Sequence, residues 1–414
     1  MVVIVLNKNI VIIGGGIAAV SAIKAIREVN KEINIYVFQN EKSYPYYRIK
    51  LTKGLFDNIE ENKFLLQKRE WYDSNKVNLY LDKEVLAIDT VNNKIEINDG
   101  SSLEYDKLLI ATGASNFTPP IEGINKKNVF TIRKLEDIEE IKKNVKDKET
   151  ILNIGGGVQG LEAAWAFSKE GKDVIVVEAL ERLMPRQLDK RASDILRKKI
   201  EEANIKILLN AQVESITGED YVDGVTLRDG TNIDCDMIIY SVGIRSNVKL
   251  LENTEVKINR GVLVNNKMQT NIENIYAAGD VAELEGQVGG LWMVASEEGK
   301  VAGYNMAGKE KVYSIITPVT MMNAFNISIF SAGNIDEENC EITVIEEDKD
   351  KEIYKRVFIK DNIIIGAILV GDNKESMILK KIIENKVELA ELDLNKISFK
   401  ELIEEIKKII IDKY

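Results

Sequence analysis

Two stretches of this chain carry residue types at a spacing that could do chemistry. Gly14, Gly16 and Ala19 fit G-x-G-x-x-G/A directly after the apolar run Ile10 to Ile13, and Gly155, Gly157 and Gly160 repeat the pattern after Ile151 to Ile154. In such a turn the first glycine permits a tight bend and the second lets the backbone approach a pyrophosphate. The third position must be small so that the following helix can pack on the strand. The helix then presents free N–H groups and a partial positive charge to the anion. Either match alone could be a structural turn, since a Gly-rich bend has uses besides phosphate binding. The second is the more specific, because strand, glycines, helix, the strand Val174 to Val177 and the acid Glu178 arrive in order. A carboxylate 23 residues after the first glycine suits a ribose 2′-hydroxyl and repels a 2′-phosphate, which predicts NADH over NADPH.

The matching acid in the first stretch is Glu41, 27 residues after Gly14 and just past the strand Ile33 to Phe38. A ribose acceptor and a solvated loop carboxylate both remain open for it. The segment Tyr44 to Lys53 then mixes three tyrosines with Arg48, Lys50 and Lys53, where cations could meet a phosphate or a polar ring edge and the tyrosines could equally cover core. The strand Tyr105 to Ile110 ends in Ala111, Thr112 and Gly113, and small residues there suit a ligand passing close to the backbone. Asp236 to Gly243 repeats that strand end. Ile275 to Asp280 is a third, closing on Gly279 and Asp280, which offer an N–H to phosphate and a carboxylate to a polyol; Asp280 could also be a plain helix cap.

These groups need elements to hold them. Helices are expected over Ala18 to Glu28 and Leu161 to Glu170, and small hairpins over Leu79 to Ile97 with turns at Asn92-Asn93 and Asp99-Gly100. After Gly308 no cofactor signature remains. Ile353 to Ile359 and Ile363 to Val370 predict a hairpin, and Ser398 to Glu401 opens the last helix as a capping box. The fingerprints lie 141 residues apart, which suits two separate dinucleotide folds.

Composition narrows the chemistry. A net charge of −11 over 414 residues argues against nucleic acid and anionic membrane. The apolar opening Met1 to Leu6 is too short for a signal core or a membrane span, so a cytoplasmic protein is expected. There is no histidine, and the two cysteines, Cys235 and Cys340, form no metal or dithiol pattern, so no metal site is expected, and if the chain moves electrons an organic cofactor must carry them. Cys235 reads as an inert packed thiol.

The order of fingerprint, Ala-Thr-Gly strand end, second fingerprint and Thr270-x-x-x-x-Ile-Tyr-Ala-Ala-Gly279-Asp280 resembles the FAD-dependent pyridine nucleotide oxidoreductases over residues 9 to 310. Tyr44 to Lys53, Pro185-Arg-Gln-Leu-Asp189 and the tail hairpin are similar to its NADH:rubredoxin reductase branch and to the flavin part of nitrite reductase large subunits. The resemblance implies an α/β fold with two Rossmann-like domains, for FAD (1–113 and 237–312) and NADH (114–236), and a C-terminal α+β domain (313–414). It implies FAD at Gly14, Gly16, Ala19, Glu41, Arg48, Ala111, Thr112, Gly113, Gly243, Gly279 and Asp280, with Trp292 against the flavin. NADH would sit at Gly155, Gly157, Gly160 and Glu178, with Lys53 and Glu162 as a charged pair beside the hydride-accepting nitrogen. The implied activity passes electrons from NADH through FAD to a small carrier such as rubredoxin. A peroxide-forming NADH oxidase, an electron-input subunit related to nitrite reductase and a non-enzymatic NADH sensor are the rivals. Disulfide reduction is not expected, because the Tyr44 to Lys53 segment lacks the cysteines it needs.

Overall fold

The computed structural model describes residues 8–57, 61–389 and 392–413, so the apolar opening Met1 to Leu6 lies outside the described residues. The chain divides into two compact units. One comprises Met1–Phe117, Arg133–Leu135 and Gly243–Ile315; the other comprises Thr118–Ile132, Glu136–Val242 and Ile316–Tyr414.

The first unit is built on a parallel sheet in the order Ile275–Ala277, Lys107–Ile110, Asn9–Ile13, Asn34–Phe38, Val77–Tyr80. Its central strands are continuous apolar runs because both faces are covered. Register aligns Ile13 with Phe38 and Ile110, and Ile110 with Ala277. The residues that follow, Gly14, Gln39, Ala111 and Ala278, therefore stand in a row along the carboxyl edge, where open α/β sheets take their ligands. The first fingerprint helix, Ile17–Val29, crosses the Trp292–Met306 helix closely. A Cβ on Gly299 or Gly303 would meet the Ala18 or Ala22 carbonyl oxygen at 2.1 and 2.4 Å, so only glycine permits this approach. The expected small hairpins form from Val85–Asp89, Lys94–Ile97 and Ser102–Glu104.

The second unit holds a sheet of the same design, ordered Lys206–Leu208, Asp173–Val177, Thr150–Ile154, Met237–Tyr240, Val129–Phe130 and parallel throughout. Here Ile154 aligns with Val177 and Tyr240, which brings Gly155, Glu178 and Ser241 side by side. The same unit contains an antiparallel sheet of the C-terminal segment, ordered Val319–Ala324, Ile327–Gly333, Ile363–Val370, Ile353–Lys360, Ile342–Asp348. The helices Ser376–Glu384 and Phe399–Lys413 share its apolar core. The hairpin turns through Asp361 and Asn362 at φ 50° and 58°, the pair of left-handed residues a two-residue turn needs. The capping box forms as expected: the Glu401 N–H donates to Ser398 Oγ at 3.3 Å, and the Ser398 N–H donates to Glu401 Oε2 at 2.9 Å. Among the described residues no helix is long and apolar enough to cross a membrane.

Candidate functional site

In the first unit, Gly14 turns at φ 107°, and a Cβ there would lie 2.1 Å from the Ala111 carbonyl oxygen. The bend and the neighbouring strand end thus demand glycine together. Gly16 is different. Its backbone is extended, nothing lies within 4 Å of where its Cβ would be, and no side chain caps the helix it begins. A bare helix N-terminus facing open space is a cradle for an anion. Ala19 is fully buried, as helix–strand packing requires. Ala111, Thr112 and Gly113 close the same edge; Thr112 Oγ1 donates to the Asn247 carbonyl at 2.9 Å, and Asn247 Nδ2 donates to the Thr112 carbonyl at 2.9 Å. A Cβ on Gly243 would also meet nothing within 4 Å.

Glu41 is buried, and its oxygens are engaged from within the chain: the Tyr46 hydroxyl donates to Oε2 at 2.7 Å and Arg48 pairs with Oε1. Arg48 also donates to the Tyr46 hydroxyl at 3.0 Å and the Arg133 carbonyl at 2.9 Å. The residue immediately beyond the strand, in the place Glu178 holds in the second unit, is Gln39. A Cβ on Gly15 would fall on the Gln39 side chain, as one on Gly156 would meet Glu178. Gln39 was missed from sequence because an amide is not the acid sought there; its signal was the residue directly after Phe38.

Asp280 accepts from Arg133 Nη2 at 2.7 Å, and Arg133 Nε donates to the Ala114 carbonyl at 2.8 Å. Arg133 thereby links two strand ends, a role no local pattern announces. The Gly279 N–H, expected to face a phosphate, instead donates to Glu298 Oε2 at 2.8 Å. Glu298 is buried, and burial, with Asp280 nearby, pushes its carboxyl up to about 8. Trp292 begins its helix stacked on Tyr47, ring centroids 6.0 Å apart, beside a cavity of about 250 Å³ that Ile17, Ser21 and Gln67 also line. Lys53 is exposed in this unit.

The second unit repeats the geometry. Gly155 turns at φ 114° with its Cβ position 2.4 Å from the Ser241 carbonyl oxygen, and a Cβ on Gly160 would meet the Gly155 oxygen at 2.4 Å. Gly157, like Gly16, has open space around it and begins an uncapped helix, Val158–Lys169. Glu178 is buried and accepts from the Gly156 N–H at 2.6 Å and the Leu180 N–H at 2.8 Å, so its carboxylate is fixed at the turn. Glu162 is buried on the helix. Cys235 is buried, and burial followed by the nearby aspartates Asp236, Asp223 and Asp234 pushes its thiol up to about 12, which leaves it an inert packed group.

Residues 8–299 match the model of the pyridine nucleotide-disulphide oxidoreductases. The chain belongs to this family. Residues 318–387 match the rubredoxin NAD+ reductase C-terminal domain. The chain is 32% identical over 379 residues to an NADH-rubredoxin oxidoreductase of Clostridium acetobutylicum, covering 92% of this chain and 95% of that protein. It is 36% identical over 388 residues to a nitrite reductase [NAD(P)H] of Bacillus subtilis, of which it spans about half (48%). Among solved structures, NADH:rubredoxin oxidoreductase from Clostridium acetobutylicum superposes with a TM-score of 0.79 at 29% identity, covering 96% of this chain and 99% of that one. The cofactors of the family are FAD and NADH, and the residues fit two dinucleotides. Each unit offers an uncapped helix N-terminus, a glycine whose Cβ would project into open space, and a polar side chain at the next strand end.

Proposed function

We propose that this protein takes hydride from NADH onto FAD and passes the electrons to a small redox protein such as rubredoxin. The observation that carries the reading is the duplicated turn: two bare helix N-termini, each with one open glycine, on two sheets of the same order. FAD, when bound, supplies the conversion between two-electron hydride chemistry and one-electron delivery. The chain's residues do the rest. Gly14, Gly16, Ala111, Thr112, Gly113, Gly279 and Asp280 would hold it, with Gln39 and the Glu41–Arg48 pair beside them, Gly243 leaving room and Trp292 against the ring. Gly155, Gly157, Gly160 and Glu178 would hold NADH, with Glu178 excluding a 2′-phosphate. Lys53 and Glu162 would supply charge at the hydride-accepting end. Proximity, not general acid catalysis, is the main contribution, consistent with a chain that has no histidine.

The domain division that goes with this reading moves one expected boundary: Met237–Tyr240 pairs with Thr150–Ile154, so the FAD region resumes at 243 rather than 237. FAD then takes 1–113 and 243–312, NADH takes 114–242, and a C-terminal domain begins at 313. We place the activity in the cytoplasm. The match of residues 318–387 to a rubredoxin reductase domain favours a protein acceptor. An NADH oxidase of Methanocaldococcus jannaschii, 36% identical over 326 residues, favours oxygen as the second candidate. Turnover of NADH measured anaerobically with added rubredoxin, and separately in air without a carrier, tests the choice. Fast carrier reduction and slow oxygen uptake support the proposal; oxygen uptake as fast as carrier reduction would replace it with the oxidase.

A further inference from the structure

The C-terminal segment makes buried polar contacts with the elements that follow the second fingerprint. On strand Ile353–Lys360, the Tyr354 hydroxyl donates to Asp189 Oδ2 at 2.6 Å and Arg356 Nη1 donates to the same oxygen at 2.9 Å. Asp189 is buried, and its other oxygen caps the Lys190–Glu202 helix by accepting the Ala192 N–H at 2.8 Å. The same Arg356 Nη1 also donates to Glu337 Oε1 at 2.7 Å. One helix turn on, Ser193 Oγ accepts the Leu183 N–H at 3.0 Å, and the Met184 N–H donates to the Gly156 carbonyl at 3.0 Å. Leu183 and Met184 are fully buried, and Met184 sits at φ 47°, a conformation a long side chain adopts only when its surroundings hold it there. The loop that returns from Glu178 to Asp189 is therefore tied at one end to the Gly156 turn and at the other to the C-terminal sheet.

A second grip lies on the fingerprint helix itself. The turn between Val319–Ala324 and Ile327–Gly333 places Phe325 against Trp165, ring centroids 5.2 Å apart, one helical turn beyond Glu162. Phe325 and Asn326 both lie at positive φ, 54° and 56°, so this tip too is held by its packing.

We propose that the C-terminal segment positions the NADH turn, with Tyr354 and Arg356 acting through Asp189 on the loop that backs Gly156. The inference rests on the assignment of NADH to Gly155, Gly157 and Glu178. Tyr354 and Arg356 are positioning residues; neither is at the turn itself. Two neighbouring links join the Lys190–Glu202 helix to the adjacent strand Ile342–Asp348 and its turn, Arg191–Glu347 and Lys199–Glu352; they lie nearer the surface and contribute less, because water screens them.

The test uses the full-length, FAD-loaded protein and NAD+ as the probe. Tyr354→Phe and Arg356→Met are each expected to weaken NAD+ binding about five-fold to ten-fold and to raise KM for NADH, with FAD content and limiting rate of flavin reduction within about two-fold. Asp189→Asn keeps the helix cap, and adding Tyr354→Phe to it should cost nothing further. In the unsubstituted protein, NAD+ should slow amide exchange in residues 180–188 and in 353–357 together. Variants that bind NAD+ as the parent does, or exchange in 353–357 that ignores NAD+, would overturn the inference. A parent protein that binds no NAD+ overturns the NADH assignment and this inference with it, and is recognised because it requires no substitution.

Discussion

Replacing Gly157 by alanine adds one methyl group at a place where the fold has nothing in its way. The backbone there is at φ −82°, ψ 175°, open to any residue, and no heavy atom lies within 4 Å of the added carbon. Alanine is a poorer helix cap than glycine, but it also restricts the unfolded chain, so stability should change by less than about 1 kcal/mol. Nucleotide binding should suffer far more. The methyl group would stand in front of the helix N-terminus, where a pyrophosphate must reach the backbone N–H groups. Losing one charge-assisted hydrogen bond costs about 1.5–3 kcal/mol, or roughly ten-fold to a hundred-fold in Kd. Gly155→Ala is the contrasting control. At φ 114°, with its Cβ position 2.4 Å from the Ser241 oxygen, it should destabilise the fold by about 2 kcal/mol or more. Thermal melting and calorimetric titration with NAD+ separate the two effects. A Gly157→Ala protein that binds NAD+ as tightly as the parent, or one that melts as early as Gly155→Ala, would refute the reasoning.

Three further outcomes follow from other parts of the site. Glu178→Ala removes the carboxylate that would oppose a 2′-phosphate, so the NADPH-to-NADH ratio of kcat/KM should rise at least about ten-fold; an unchanged ratio would count against Glu178. Gln39→Ala should lower the FAD retained through gel filtration, whereas full retention would leave Gln39 a space-filler beside Gly15. The Glu298 carboxyl, raised by burial from 4.5 to about 8, keeps a proton in the folded protein that the unfolded chain has already released. Stability from this group is therefore complete below pH 4.5 and falls as pH rises to about 8, and Glu298→Gln should flatten that decline in melting temperature; parallel curves for the two proteins would contradict the assignment.

Much of this arrangement was legible in the residues. The two strand–glycine–helix turns, the acid Glu178, the tail hairpin and the Ser398 cap are local, each written within a few residues by periodicity, turn chemistry or side-chain reach. Cys235 was legible too, as a small residue just before an apolar strand. What escaped was set by register and by distance along the chain. Glu41 was legible as an acid just past the strand, but which residue follows the strand directly is fixed by where pairing ends, and there Gln39 stands beside Gly15. Arg133, Asn247 and Glu298 reach the site from 147, 135 and 19 residues away from their partners Asp280, Thr112 and Gly279. Each is a single polar residue with no motif around it. The Tyr354–Asp189–Arg356 contact likewise joins strands and helices 165 and 167 residues apart, which only packing brings together.

The most direct measurement is an anaerobic titration of the purified protein, reconstituted with FAD, against NADH while the flavin absorbance is followed. One equivalent of NADH should bleach one flavin, NADPH should bleach it far more slowly, and added oxidised rubredoxin should restore the colour. A protein that retains no FAD, or a bound flavin that NADH leaves oxidised, would contradict the pairing of two nucleotide turns on which the account depends.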